Sequence, residues 1–145
     1  MGKSFYEDGV FHRRYGGDLQ GVLDKLDYLQ ELGINTIYFN PVFYARSLHK
    51  YDGNSFHHVD PYFGPDPKGD LAMISAESGK LDKWVWTAAD RLFLQLIAEA
   101  HRRQIRIIID GVFNHTGRDN SVIELTKTQL RLSLPPLTGI VCAPE

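Results

Sequence analysis

Cysteine is all but missing from this chain. Cys142 is the only one in 145 residues, which excludes an internal disulfide and a cysteine-built zinc cluster. Long apolar runs are missing as well: none approaches the ~18 residues that a membrane-crossing helix needs. The opening Met1-Gly2-Lys3-Ser4-Phe5-Tyr6-Glu7-Asp8 has no apolar stretch of signal-peptide type. No targeting signal is therefore expected, and the place of action in the cell is left undetermined. Excess charge of one sign is also absent. Sixteen lysines and arginines stand against 18 aspartates and glutamates, a net charge of -2 with both signs mixed throughout, so no nucleic-acid partner is expected. What is present is an ordinary globular composition, 43% hydrophobic and 12% aromatic.

Two helix-then-strand units carry the pattern. In the first, Leu19, Val22, Leu23, Leu26, Leu29 and Leu32 recur at helical spacing, with Asp18 placed to cap the start and Gly33 to end it. Ile34 to Phe39 then reads as a strand closed by Asn40-Pro41. In the second, Thr87 and Asp90 have capping-box spacing, and Leu92, Phe93, Leu96, Ile97 and Ala100 form the apolar stripe. Arg102-Arg103 reads as a solvated helix end, favourably placed against the helix dipole. Ile105 to Ile109 supplies a second strand, and its consecutive isoleucines predict burial on both faces. Repeated helix–strand order implies parallel strands covered by helices, an α/β fold.

Between the units lies a long segment, Pro41 to Trp86. Its prolines 61, 65 and 67 and glycines 53, 64, 69 and 79 predict little regular structure in its early part. Phe43, Tyr44, Tyr51, Phe56, Tyr62 and Phe63 argue for an ordered, functional loop, because flat amphipathic rings suit the apolar face of a sugar. His57-His58-x-Asp60 has the residue types of a metal site, but adjacent histidines project differently and no further ligand set is visible. Trp84 and Trp86 could be sugar platforms; a hydrophobic lead-in packed on the following helix is the preferred reading. The second strand runs straight into Asp110-Gly111-Val112-Phe113-Asn114-His115, and polar groups clustered where a buried strand ends are how an α/β barrel builds its active face.

Taken together, four segments resemble the α-amylase superfamily of glycoside hydrolases, and within it the cyclomaltodextrinase and neopullulanase type. They are Tyr15-Gly16-Gly17-Asp18-Leu19-Gln20-Gly21, then Leu32 to Pro41, then His49-Lys50-Tyr51-Asp52 with Asp60-Pro61-Tyr62-Phe63-Gly64, and finally Asp110 to His115. The resemblance covers about Tyr15 to Asp119 and implies a partial (β/α)8 barrel: strands two and three, their helices and a long active-site loop. A complete barrel takes ~250 residues. Residues 1–14 are a poorly assigned lead-in and 120–145 an atypical tail.

The resemblance implies roles for particular residues. Tyr51 would stack beneath the sugar next to the scissile bond, Asp52 would hydrogen-bond its hydroxyls, and His115 would contact its primary hydroxyl. Asp110 would act from behind by orienting an arginine. Asn114 matches a calcium ligand of many members, and calcium is possible in the complete parent. One amide oxygen makes no site where Ca²⁺ takes about 6–8 oxygens, so no metal is assigned. Phe56 stands where the loop motif usually has a second tyrosine. Retaining glycosidases need two carboxyl groups about 5–5.5 Å apart. The Gly-x-Arg-x-Asp segment that carries the family's nucleophile does not occur in these 145 residues, nor do those that carry its other two catalytic carboxylates.

The chain is therefore expected to be a fragment of a retaining hydrolase acting on α-glucans, maltooligosaccharides or cyclodextrins, inactive alone. The alternative is a non-catalytic module that binds maltooligosaccharide or docks on another barrel piece. Bare sheet edges make the missing barrel segments, or a second copy, the expected protein partners.

Overall fold

The computed structural model describes residues 16–77, 84–113 and 115. The lead-in to residue 14, the tail from residue 120 and Asn114 lie outside the described residues. Asp18 opens the first helical unit as predicted, its carboxylate accepting the Gly21 N–H at 2.8 Å. The unit is two short helices rather than one: α1 (Leu19–Leu23) and α2 (Leu26–Glu31). Leu19 and Leu26 are buried, whereas Leu32 lies exposed at the C-cap of α2. The chain then turns at Gly33, whose φ of 82° is left-handed and suits glycine.

The strands are β1 (Thr36–Phe39) and β2 (Arg106–Ile109), each shorter than the sequence pattern suggests. They pair in parallel, with Thr36 opposite Arg106 and Phe39 opposite Ile109. Between them runs α4 (Ala88–Arg102), which begins at the predicted box: Thr87 Oγ1 accepts the Asp90 N–H, and Asp90 accepts the Thr87 N–H. Phe93, Leu96 and Ala100 are its buried face, and Phe93 meets Phe39 edge to face at 5.8 Å. Leu19, Val42, Val59, Ala89, Phe93 and Leu96 form one core cluster; Leu26, Ala100 and Ile105 form the other.

Three expectations are corrected. The long connection contains regular structure: a 3-10 turn at Pro61–Phe63 and the ten-residue helix α3 (Pro67–Ala76). Pro67 starts that helix rather than breaking it, since a first-turn N–H has no helical partner to lose, and Asp66 caps it by accepting the Gly69 N–H. The isoleucines of β2 are not buried on both faces; Ile108 and Ile109 are 47% and 40% exposed. The described sheet holds two strands, and helix α4 packs against it, leaving those side chains without cover among the described residues. Arg103 is not merely solvated. It donates to Asp27 at 2.6 Å and to the Glu99 carboxylate at 2.8 Å, tying the end of α4 to α2.

Candidate substrate-binding site

Parallel pairing brings the ends of β1 and β2 to one edge. The Asp110 N–H donates to the Phe39 carbonyl at 2.9 Å, so Asp110 emerges beside Asn40-Pro41, where the long loop begins. That loop folds back on itself. Asp60 N–H donates to Val42 O and Tyr44 N–H to His58 O, with isolated bridges Phe43–Val59 and Ala45–Gly53. Its base is an ion pair sealed from water: Lys50 Nζ lies 2.5 Å from Asp60 Oδ2 and 2.8 Å from the Ala45 carbonyl. The other oxygen of Asp60 accepts the Tyr62 N–H at 2.9 Å and caps the 3-10 turn.

Lys50 takes a left-handed conformation (φ 62°), and the next residue, Tyr51, turns out towards β2. Its hydroxyl donates to Asp110 Oδ2 at 2.9 Å, joining residues 59 apart in sequence. That bond is the main reason the Tyr51 hydroxyl is harder to ionise than usual, with desolvation second. Tyr38, on β1, is raised too, by desolvation first and then by the nearby Asp110 carboxylate. Asp110 is thus the acceptor for the Tyr51 phenol, and its charge is felt by that of Tyr38 as well. Asp52 is held separately, accepting from Ser47 Oγ within a tight turn. The same Ser47 oxygen accepts the Lys50 N–H at 3.0 Å.

Of the residues predicted for the site, Tyr51 and Asp110 are brought into direct contact, with Asp52 next along the loop in the Ser47 turn. His115 is exposed beyond the end of β2, and Asn114 lies outside the described residues. Phe56 packs between Phe43 and Phe113, at 5.3 and 5.5 Å between ring centroids. An aromatic cluster occupies the position where the resemblance implied a tyrosine hydroxyl. A pocket of about 280 Å³ opens on the α1 side, lined by Asp18, Phe39, Asn40, Leu48, His49 and Phe63 among others. Neither Tyr51 nor Asp110 lines it, so the candidate site is defined by the hydrogen-bonded cluster and not by that hollow.

His57-His58-x-Asp60 is not a shared ligand set. His58 is 1% exposed, its Nδ1 2.8 Å from Asp90 and its Nε2 2.8 Å from Glu77, while Asp60 serves Lys50. Among the described residues no group of three or more His, Cys, Asp or Glu side chains is arranged to hold a metal ion. Burial alone would push His58 down, but the two carboxylates outweigh it and hold the imidazole protonated above its usual range. Trp84 and Trp86, expected to pack on α4, instead stack on each other at 5.5 Å.

Sequence reasoning missed Tyr38, Lys50 and the His58 bridge. Tyr38 stood inside the quoted strand motif, and period-two alternation was the one signal that could have set its side chain apart. Lys50 and His58 make contacts that no local pattern announces.

The Alpha-amylase family, described as the alpha amylase catalytic domain, matches residues 3–82, more than half of the chain. The intracellular maltogenic amylase of Bacillus subtilis is 43% identical over 103 residues, 71% of this chain and 13% of that protein. Neopullulanase 2 of Thermoactinomyces vulgaris is also 43% identical over 103 residues, 71% of this chain and 14% of its own length. The type III pullulan hydrolase structure from Thermococcus kodakarensis superposes with a TM-score of 0.57 at 35% identity, over 75% of this chain and 15% of that one. The chain therefore spans a small part of the length of the relatives it matches, and its parallel pair with covering helices is a portion of their α/β barrel. On this match the chain belongs to the alpha-amylase catalytic-domain family.

Proposed function

We propose that Tyr51, Asp52 and His115 contribute to the α-glucan-binding site of an amylase-type retaining glycoside hydrolase. In this reading the 145 residues bind sugar but do not cleave it. The supporting observation is the Tyr51–Asp110 hydrogen bond at the carboxyl end of the parallel pair, where α/β barrels carry their chemistry. Tyr51 presents a half-exposed ring whose hydroxyl is already engaged, so its face can take the apolar side of a pyranose without reorganising. Asp110 is a positioning residue that fixes this ring. Asp52 and His115 supply hydrogen bonds to sugar hydroxyls. The names of the relatives, maltogenic amylase and neopullulanase, agree with an α-glucan ligand.

Cleavage by double displacement needs a carboxylate nucleophile and a carboxylic acid on either side of the glycosidic bond. Asp52 and Asp110 are each engaged by a hydroxyl of the chain itself and serve binding. The catalytic carboxylates belong to residues beyond these 145. The test is a pair of assays on the purified chain. Retardation in a native gel containing soluble starch should be seen and should weaken in Tyr51→Ala. Release of reducing ends from starch or cyclodextrin should be absent. Retardation indifferent to Tyr51→Ala, or turnover by the contaminant-free chain, contradicts the proposal.

A second reading, a module that docks on other barrel segments, is favoured by one observation: Tyr38, Ile108 and Ile109 stand exposed on the described sheet. The two readings are compatible, because docking would use the sheet and binding the strand ends.

A further inference from the structure

We propose that the Trp84–Trp86 pair is a second sugar platform, taking a pyranose ring further along the glucan chain that reaches Tyr51. This rests on the α-glucan reading of Tyr51. Trp84 and Trp86 are the only tryptophans in the chain, and they are 44% and 46% exposed. Leaving two indoles in water forgoes the burial free energy that large apolar rings usually supply, and such exposed apolar surface marks a contact site.

Three rings stand in series. Trp86 lies on Trp84 at 5.5 Å with 15° between planes, and Trp84 lies against His57 at 5.9 Å and 30°. No other described ring stacks on Trp86, which leaves it the outermost of the series. Two contacts back the stack. Buried His58 stands perpendicular to Trp84 at 5.8 Å and 89°, and the N–H of Val85, between the two tryptophans, donates to Glu77 at 3.0 Å. A flat apolar ring face backed by these contacts suits the C–H face of a sugar ring.

Placement links the platform to Tyr51. The pair leads directly into α4, and α4 leads directly into β2, so the α4 N-terminus lies at the end of the sheet where both strands finish. That is the end that carries Asp110 and Tyr51. The residue before His57 is Phe56, which packs on Phe113 just past Asp110 at 5.5 Å. Phe56 and His57, neighbours in the chain, thus belong one to the aromatic cluster at the Asp110 strand end and one to the tryptophan stack. A glucan repeats the same ring, so one chain can occupy both platforms, the second contact gaining from high effective concentration.

The test uses tryptophan fluorescence, excited to the red of tyrosine absorption, which reports on these two residues alone. Titration with maltoheptaose should give a saturable change in tryptophan emission and protect it from iodide quenching; glucose and maltose should act far more weakly. Trp86→Ala should weaken maltoheptaose binding about tenfold and Trp86→Phe should restore most of it. Tyr51→Ala should weaken binding yet leave the emission change at higher sugar concentration. Starch-gel retardation that needs Tyr51, with tryptophan emission and iodide access unchanged by maltoheptaose, overturns this inference while sparing the Tyr51 reading. Loss of both signals in the folded wild-type chain, checked by circular dichroism, overturns the two together. The wild-type quenching arm needs no variant to fold.

Discussion

Lys50 places an ammonium where water cannot reach it, and Asp60 is the carboxylate that makes this tolerable. A buried pair need not add much net stability, but removing one partner strands the other charge. Lys50→Met is expected to cost about 3–5 kcal/mol, and pairing it with Asp60→Asn should recover part of the loss. Chemical denaturation of the three proteins checks this; equal stability of Lys50→Met and wild type would contradict it. Gly64 is the second test at this scale. A β-carbon there would lie 2.6 Å from the Ala89 β-carbon and 2.7 Å from its α-carbon, so the loop approaches α4 only because the side chain is missing. Gly64→Ala should lower stability by about 1–3 kcal/mol, read from the thermal midpoint. Both residues stood inside motifs recognised in the sequence, yet neither role was legible there. A lysine is solvent-facing by default, and a loop glycine does not disclose which backbone passes beside it.

The N-terminus of α4 gathers three separate elements. Asp70 of α3 accepts the Ala88 and Ala89 N–H groups at 2.7 and 2.9 Å, and Asp90 takes the Val59 N–H from the loop at 2.8 Å. His58 bridges Asp90 to Glu77 at the end of α3. Both ring nitrogens face carboxylate oxygens, and only the imidazolium can donate from both. A pH dependence follows. The pKa of His58 is raised, so its contribution is full below its unfolded value of about 6.5 and is lost as pH rises through the folded value. Asp90 and Glu77 are lowered: burial opposes this, but the His58 hydrogen bond and backbone N–H donors prevail. Their contribution is present above about pH 4 and is lost as pH falls through their folded values. The titratable groups that face His58 are Asp90, Glu77 and neighbouring His57, with Asp70 close by on the same helix terminus. The melting midpoint should therefore be highest between these limits and decline on the alkaline side, and His58→Gln should flatten that decline. An alkaline limb unchanged in His58→Gln would contradict the bridge. The Thr87–Asp90 box was legible because its partners are three residues apart. The His58 bridge was not, because its partners lie 32 and 19 residues away. Helix α3 was obscured by its own start signal, Asp66-Pro67, which in a proline- and glycine-rich segment reads as a break.

At the scale of the molecule, the order helix, strand, helix, strand was legible from periodicity, and the parallel pairing followed from that order. What periodicity could not supply is coverage. Ile107 to Ile109 have the composition of a strand enclosed on both faces, yet two of them stand half in water on the described sheet. An open parallel pair with apolar side chains invites another chain. Sedimentation velocity should show association that grows with concentration, and Ile108→Lys with Ile109→Lys should suppress it; a monomer at all concentrations would argue against an adhesive sheet. The strand ends are a separate matter, and there the central claim is that Tyr51, steadied by Asp110, is a sugar-binding face. Calorimetric titration of the chain with maltoheptaose, compared with Tyr51→Phe and Tyr51→Ala, tests this most directly. The account predicts measurable binding, modest loss in Tyr51→Phe, where the ring stays and only the Asp110 bond goes, and a loss of about tenfold or more in Tyr51→Ala. Equal affinity in all three proteins, or no heat with the folded wild-type chain, would contradict it.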